Sequence, residues 1–133
     1  MSRPAQRLGQ HGEARASQAL VERGAQIIAR TVRTPCGELD TVARQGGVLV
    51  FSEVKTRGSR AFGSPEESLT ATQQAHLIAS AQYFLAANEQ LEADWRIDRV
   101  AIELGLGGET ARLEIIEDSV RGDRSAAPQP AHA

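Results

Sequence analysis

The stretch GELDTVARQGGVLVFSEVKTR, residues Gly37 to Arg57, decides how this chain folds. Two runs rich in Val, Leu and Phe flank Gly46-Gly47, and paired glycines between such runs signal a β-hairpin turn. Strands are expected over Leu39–Arg44 and Val48–Thr56. A two-residue turn pairs Gln45 with Val48, Ala43 with Val50, Asp40 with Glu53 and Glu38 with Lys55. Like charges directly opposite across strands destabilise them. A shared proton, a nearby cation or a bound metal would offset that repulsion. Alternation places Lys55 on the same face as Glu53. Val48, Val50, Phe51 and Val54 make both faces of the second strand apolar, so it reads as a central strand. Charges in a central strand need a reason.

Asp, Glu and Lys gathered on one sheet face fit metal-dependent phosphodiester hydrolysis. A hard cation such as Mg²⁺ prefers one or two carboxylates together with waters and phosphate oxygens. A lysine beside it can hold or deprotonate the attacking water, or contact the phosphate. Arginine replaces it poorly, since it keeps its proton and presents a wider fork. Of the 15 basic residues, Lys55 is the only lysine. Its position in E-x-K therefore suggests a role that arginine cannot fill. The structural alternative is an exposed Glu38–Lys55 ion pair, with Asp40 capping the turn after Gly37.

Working outward, Gln6–Arg23 reads as a helix closed by Gly24. Its small or apolar stripe is Ala5, Leu8, Gly12, Ala16 and Ala19, with Glu13 at the edge. Ala25–Thr31 reads as a strand and residues 34–37 as a turn. Residues 58–68 form a polar loop. Thr70 and Gln73 fit a capping box opening a helix that runs to about Leu91. Leu77, Ile78, Ala81, Phe84 and Leu85 make its apolar stripe. Trp95–Leu104 and Ala111–Ile116 read as strands. The end of the chain, RGDRSAAPQPAHA, lacks any pattern and reads as a disordered tail over 121–133. Residues 1–120 are expected to form one α/β domain, with a mixed central sheet flanked by helices.

The net charge of −2 gives no bulk attraction for nucleic acid, so a local arginine patch would have to supply it. The N-terminal residues contain no apolar signal segment, and no apolar run reaches membrane-span length. Cys36 is the only cysteine, which excludes an internal disulfide. These features favour a cytoplasmic protein. His11, His76 and Cys36 have no metal-ligand spacing and read as non-catalytic. Asp98, in an apolar strand, reads as the partner of an arginine. Trp95 and Tyr83 read as core or interface residues.

The hairpin with D-(x)n-E-x-K, preceded by a helix bearing Glu13, resembles the PD-(D/E)xK nuclease superfamily. More closely, the chain resembles the YraN family of bacterial proteins (uncharacterised protein family 0102). The matching stretches are Gly12-Glu13, Gly37-Glu38-Leu39-Asp40, Val50 to Arg57, Phe62-Gly63-Ser64-Pro65 and Arg96-Ile97-Asp98. The resemblance implies a restriction-endonuclease-like sandwich with an αβββαβ core. It makes Asp40 and Glu53 ligands of Mg²⁺ or Mn²⁺ and Lys55 the catalytic lysine, with Glu13 approaching from the first helix. Where the family usually has Lys, this chain has Gln73, which can bond a phosphate or water or serve only the helix cap. Arg57 and Arg60 would contact phosphates without reading sequence. The implied activity is metal-dependent hydrolysis of DNA, with branched and single-stranded forms as candidate substrates. The alternative is a nucleic-acid-binding or protein-interaction module that keeps the fold without the chemistry. In either case a homodimer or a partner protein could supply substrate recognition.

Overall fold

The computed structural model describes the backbone of residues 4–58 and 69–118, with side chains from residue 11 onward. Arg60, the stretch 62–65 and the tail 121–133 lie outside the described residues. The elements run α1 (Pro4–Glu22), β1 (Gln26–Thr34), β2 (Gly37–Gln45), β3 (Val48–Gly58), α2 (Ala71–Ala87), β4 (Asp94–Leu104) and β5 (Thr110–Ile116). This is the expected αβββαβ order with a fifth strand after it.

The five strands form one sheet in the order β1-β2-β3-β4-β5. Neighbours are antiparallel except β3 and β4, which are parallel. The β3–β4 connection carries α2, as a parallel crossover requires. β3 is thus the central strand, as its two apolar faces indicated. At the hairpin Gly46 takes φ 61°, a left-handed conformation that glycine enters without steric cost.

The two helices cover opposite faces of the sheet. Leu77, Ala81 and Leu85 of α2 pack on Leu39, Val42, Leu49, Phe51 and Ile97. Phe51 meets Phe84 and Trp95 edge to face, with ring centroids 5.6 and 5.8 Å away. Trp95 is therefore a core residue, whereas Tyr83 is 45% exposed. Ala16 of α1 packs with Val100, Ile102 and Leu104. Ile97 and the even-numbered β4 residues point to opposite faces, so α1 and α2 lie on either side. Burying a large apolar side chain such as Phe51 or Ile97 contributes about 1.5–3 kcal/mol, which is what fixes the register of the central strands.

α2 opens with the expected capping box. Thr70 Oγ1 accepts from the Gln73 N–H at 3.1 Å, and Gln73 Oε1 accepts from the Thr70 N–H at 2.8 Å. The helix stops at Ala87, earlier than expected, where Asn88 caps it by donating its side-chain amide to Phe84 O.

Candidate functional site

The site begins where the hairpin ladder ends. β2 and β3 pair from Gln45↔Val48 through Thr41↔Ser52, in the register the sequence indicated. The next rung, Asp40 opposite Glu53, does not form. Nor does Glu38 opposite Lys55. Instead Asp40 Oδ2 accepts the Val54 backbone N–H at 2.7 Å. The carboxylate thus lies in the wedge between two parting strands and satisfies a donor that the ladder has abandoned. The neighbouring strand β1 is also irregular here. Thr31 sits between the pairs Arg30↔Thr41 and Val32↔Leu39, opposite Asp40, and takes φ 53°. That conformation is rare for a β-branched residue and breaks the regular pleat. Leu39 and Val42, three residues apart, then join the same core cluster beneath α2.

The Glu38–Lys55 ion pair of the structural alternative is absent as well. Glu38 pairs with its β1 neighbour Arg33, with Nε to Oε2 at 3.3 Å. Lys55 lies across from Ala101 in the β3–β4 ladder and is half-buried. Arg57 is half-buried near the end of β3, across from Glu103.

Glu13 reaches this region from α1. The helix can lie flat on β3 because Gly12 is buried against Thr56, where a Cβ would collide with the Thr56 side chain. Glu13, one residue on, is half-buried. Its charge acts on both Asp40 and Glu53.

The electrostatics follow from this crowding. Burial pushes the Asp40 carboxyl up from its usual 3.8 to about 7. The Val54 N–H opposes the rise, and the charges of Glu53, Glu13 and Glu38 add to it. Burial also raises Glu53. Arg99 and then Lys55 draw it back down, while Glu13 and Glu38 push it further up. Four carboxylates therefore share one field.

A cleft of about 170 Å³ opens beside Glu53. Gly37, Glu38 and Glu53 from the sheet line it, together with Leu69 and, from α2, Gln73, His76 and Leu77. Gln73 caps α2, one of the two roles foreseen for it, and also lines the cleft. Its amide oxygen is committed to the cap, so only its NH₂ end is chemically available to an anion. Gln74, by contrast, donates its side-chain amide to Leu69 O.

Among the described residues no three His, Cys, Asp or Glu side chains make a ready metal cage. The donors fit a less demanding cation. Asp40 keeps one oxygen clear of its bond to Val54, and Glu53 lines the open cleft. Two hard carboxylates suit an ion that retains most of its waters, as Mg²⁺ does. A cation there would favour the charged form of both carboxyls, which burial disfavours.

All of these side chains lie within residues 12–102, the segment matched by the model of the Uncharacterised protein family UPF0102. The chain belongs to the UPF0102 family. A UPF0102 protein of Roseiflexus castenholzii is 44% identical over 115 residues, covering 86% of this chain and 93% of that one. Another, from Caldicellulosiruptor saccharolyticus, is 36% identical over 112 residues, 84% of this chain and 95% of that one. Among solved structures, the fold is similar to SfsA of Pyrococcus furiosus in complex with Ca²⁺. That match has a TM-score of 0.38 and 18% identity over 82% of this chain and 64% of the other. A likeness of that size carries no argument about activity.

Three residues of this UPF0102 chain belong to the site without having been singled out for it. Arg99 is 5% exposed and lies directly across the ladder from Glu53. Its signal in the sequence was a charge inside the apolar run RIDRVAIEL, but its neighbour depends on the β3–β4 register. His76 and Glu38 join the site only through the cleft, for which linear spacing gives no signal. Asp98 has the structural role expected of it. It is 1% exposed, accepts from Arg96 Nε at 2.9 Å and Arg96 Nη2 at 3.3 Å, and takes the Asp118 N–H at 2.9 Å. No helix among the described residues is long and apolar enough to cross a membrane.

Proposed function

We propose that the chain is a divalent-metal-dependent nuclease that hydrolyses phosphodiester bonds of DNA. The observation that carries this reading is that Asp40, at the strand parting, lies in the field of Glu53, which lines an open cleft and has the chain's only lysine acting on it. Two neighbouring carboxylates here, Asp40 and Glu53, both have raised pKa, and such perturbed carboxylates cluster at functional sites.

Asp40 and Glu53 would hold Mg²⁺ or Mn²⁺. Bound there, the cation would lower the pKa of a water and stabilise charge gathering on the phosphate. Lys55 would orient that water or take its proton. Glu13 would accept a hydrogen bond from the same water or from the cation's hydration shell. Gln73, through its NH₂ end, would donate to a phosphate oxygen at the cleft. Arg57, with Arg60, would hold the flanking backbone without reading sequence.

Calorimetric titration of Mn²⁺ into the wild type, Asp40→Asn and Glu53→Gln tests the metal assignment. End-labelled single-stranded, duplex and branched DNA and RNA, each with Mg²⁺, Mn²⁺ or EDTA, test the chemistry. The expected result is one bound ion per chain, lost in both variants, and metal-dependent cutting of at least one DNA form. Binding of DNA without cutting would replace this reading with a non-catalytic nucleic-acid-binding module.

A further inference from the structure

Arg99 is buried to within 5% of full coverage, and its Nε has no hydrogen-bond partner among the described residues. Burying a guanidinium is costly unless an opposite charge meets it. Its neighbours on the same sheet face narrow the choice of partner. Ile97 and Ala101 flank it along β4, and Ile116 lies across from it on β5. All three are apolar. The fourth neighbour, across the parallel ladder on β3, is Glu53. The arginine is thus set into the core beside one candidate metal ligand.

We infer that Arg99 is a positioning residue for Glu53, an internal counter-charge that holds the carboxylate in place until a divalent cation takes over that role. The inference rests on reading Glu53 as a metal ligand. Three physical points support it. The guanidinium is permanently charged and cannot escape by losing its proton. Glu53 stands among Glu13, Glu38 and Asp40, and apart from Arg99 the one cation acting on it is Lys55. A cation bound by Glu53 would take over from Arg99 as its strongest counter-charge, so the two interactions exchange on loading rather than add.

The test is a double-mutant cycle in thermal and urea unfolding, with wild type, Arg99→Met, Glu53→Gln and the double variant, each in EDTA and in millimolar Mn²⁺. Met keeps length and apolar contact without charge. In EDTA, Arg99→Met should raise the unfolding constant about tenfold more when Glu53 is present than when Gln replaces it. Mn²⁺ should abolish that difference and should raise the Tm of Arg99→Met by more than that of the wild type. Arg99→Lys should retain most of the coupling, and it serves as the charge-conserving comparison if Arg99→Met does not fold. Equal Mn²⁺ shifts in wild type and Arg99→Met, with no coupling in EDTA, would mean that Arg99 only packs the core. Coupling in EDTA with no Mn²⁺ response in any variant would overturn the exchange and the metal reading together. Absent coupling with an intact Mn²⁺ response overturns the role of Arg99 alone.

Discussion

The Asp40 carboxylate takes the backbone N–H of Val54 at 2.7 Å, replacing a rung that the β2–β3 ladder does not make. One side chain therefore both ends the hairpin pairing and places a negative charge in the gap. An Asn in its place could make the same hydrogen bond without the charge. Fold and site requirements can thus be separated at this residue.

Stability should depend on pH through Asp40. Its folded pKa of about 7 lies above its usual 3.8. The folded form then binds the proton more tightly than the unfolded chain does. The stabilising contribution is complete below about pH 4 and disappears as pH rises through 7. In EDTA the Tm should fall between pH 5 and pH 8. Asp40→Asn should flatten that dependence and melt higher than wild type at pH 8, while losing Mn²⁺ binding. A wild-type Tm that does not change over this range would contradict the electrostatic account.

Lys55→Ala and Lys55→Arg should both lower cleavage by about 10²-fold or more, because the role needs a proton-exchanging point charge. Mn²⁺ affinity, read by calorimetry, should change little. Restoration of activity by arginine would show that Lys55 supplies only charge.

Gly12→Ala should destabilise the fold by about 1–3 kcal/mol, since the new methyl meets Thr56 at the contact between α1 and β3. The gain in helix propensity is about 1 kcal/mol and does not offset the collision. Displacement of α1 also moves Glu13, so activity per folded molecule should fall too. Urea unfolding and single-turnover cleavage separate the two effects.

Asp98→Ala should cost about 1–3 kcal/mol, because it takes from Arg96 its main carboxylate partner and removes the acceptor of the Asp118 N–H, while Gln45 still bonds Arg96. Metal binding measured below the unfolding transition should be retained. Loss of metal binding in a folded Asp98→Ala protein would place this residue in the site.

The sequence revealed the fold through local signals. The Gly46-Gly47 turn, the capping box of Thr70 and Gln73, and the two-sided apolarity of β3 each depend on neighbours in the chain. The hairpin register could be counted from the turn, and it held as far as Thr41↔Ser52. It ends at Asp40, whose carboxylate takes the Val54 N–H in place of the rung, beside Thr31 on a third strand with a left-handed φ that no spacing rule announces. Glu38 was assigned to Lys55 for the same reason, and its true partner Arg33 lies on β1. Arg99 is not legible as a site residue, because it lies across from Glu53 only through the parallel crossover. The cleft residues His76 and Glu38 come together by helix-on-sheet packing, which linear periodicity does not encode.

The central claim is that Asp40, Glu53 and Lys55 form a metal-dependent phosphodiesterase site. The most direct measurement is single-turnover cleavage of end-labelled DNA by the wild type and Lys55→Ala, in Mn²⁺ and in EDTA, with Mn²⁺ binding measured on the same samples. The account predicts cutting by the wild type in Mn²⁺ alone, and a Lys55→Ala protein that binds the ion and does not cut. A wild type that neither binds Mn²⁺ nor cuts any DNA, or a Lys55→Ala protein that cuts at the wild-type rate, would contradict it.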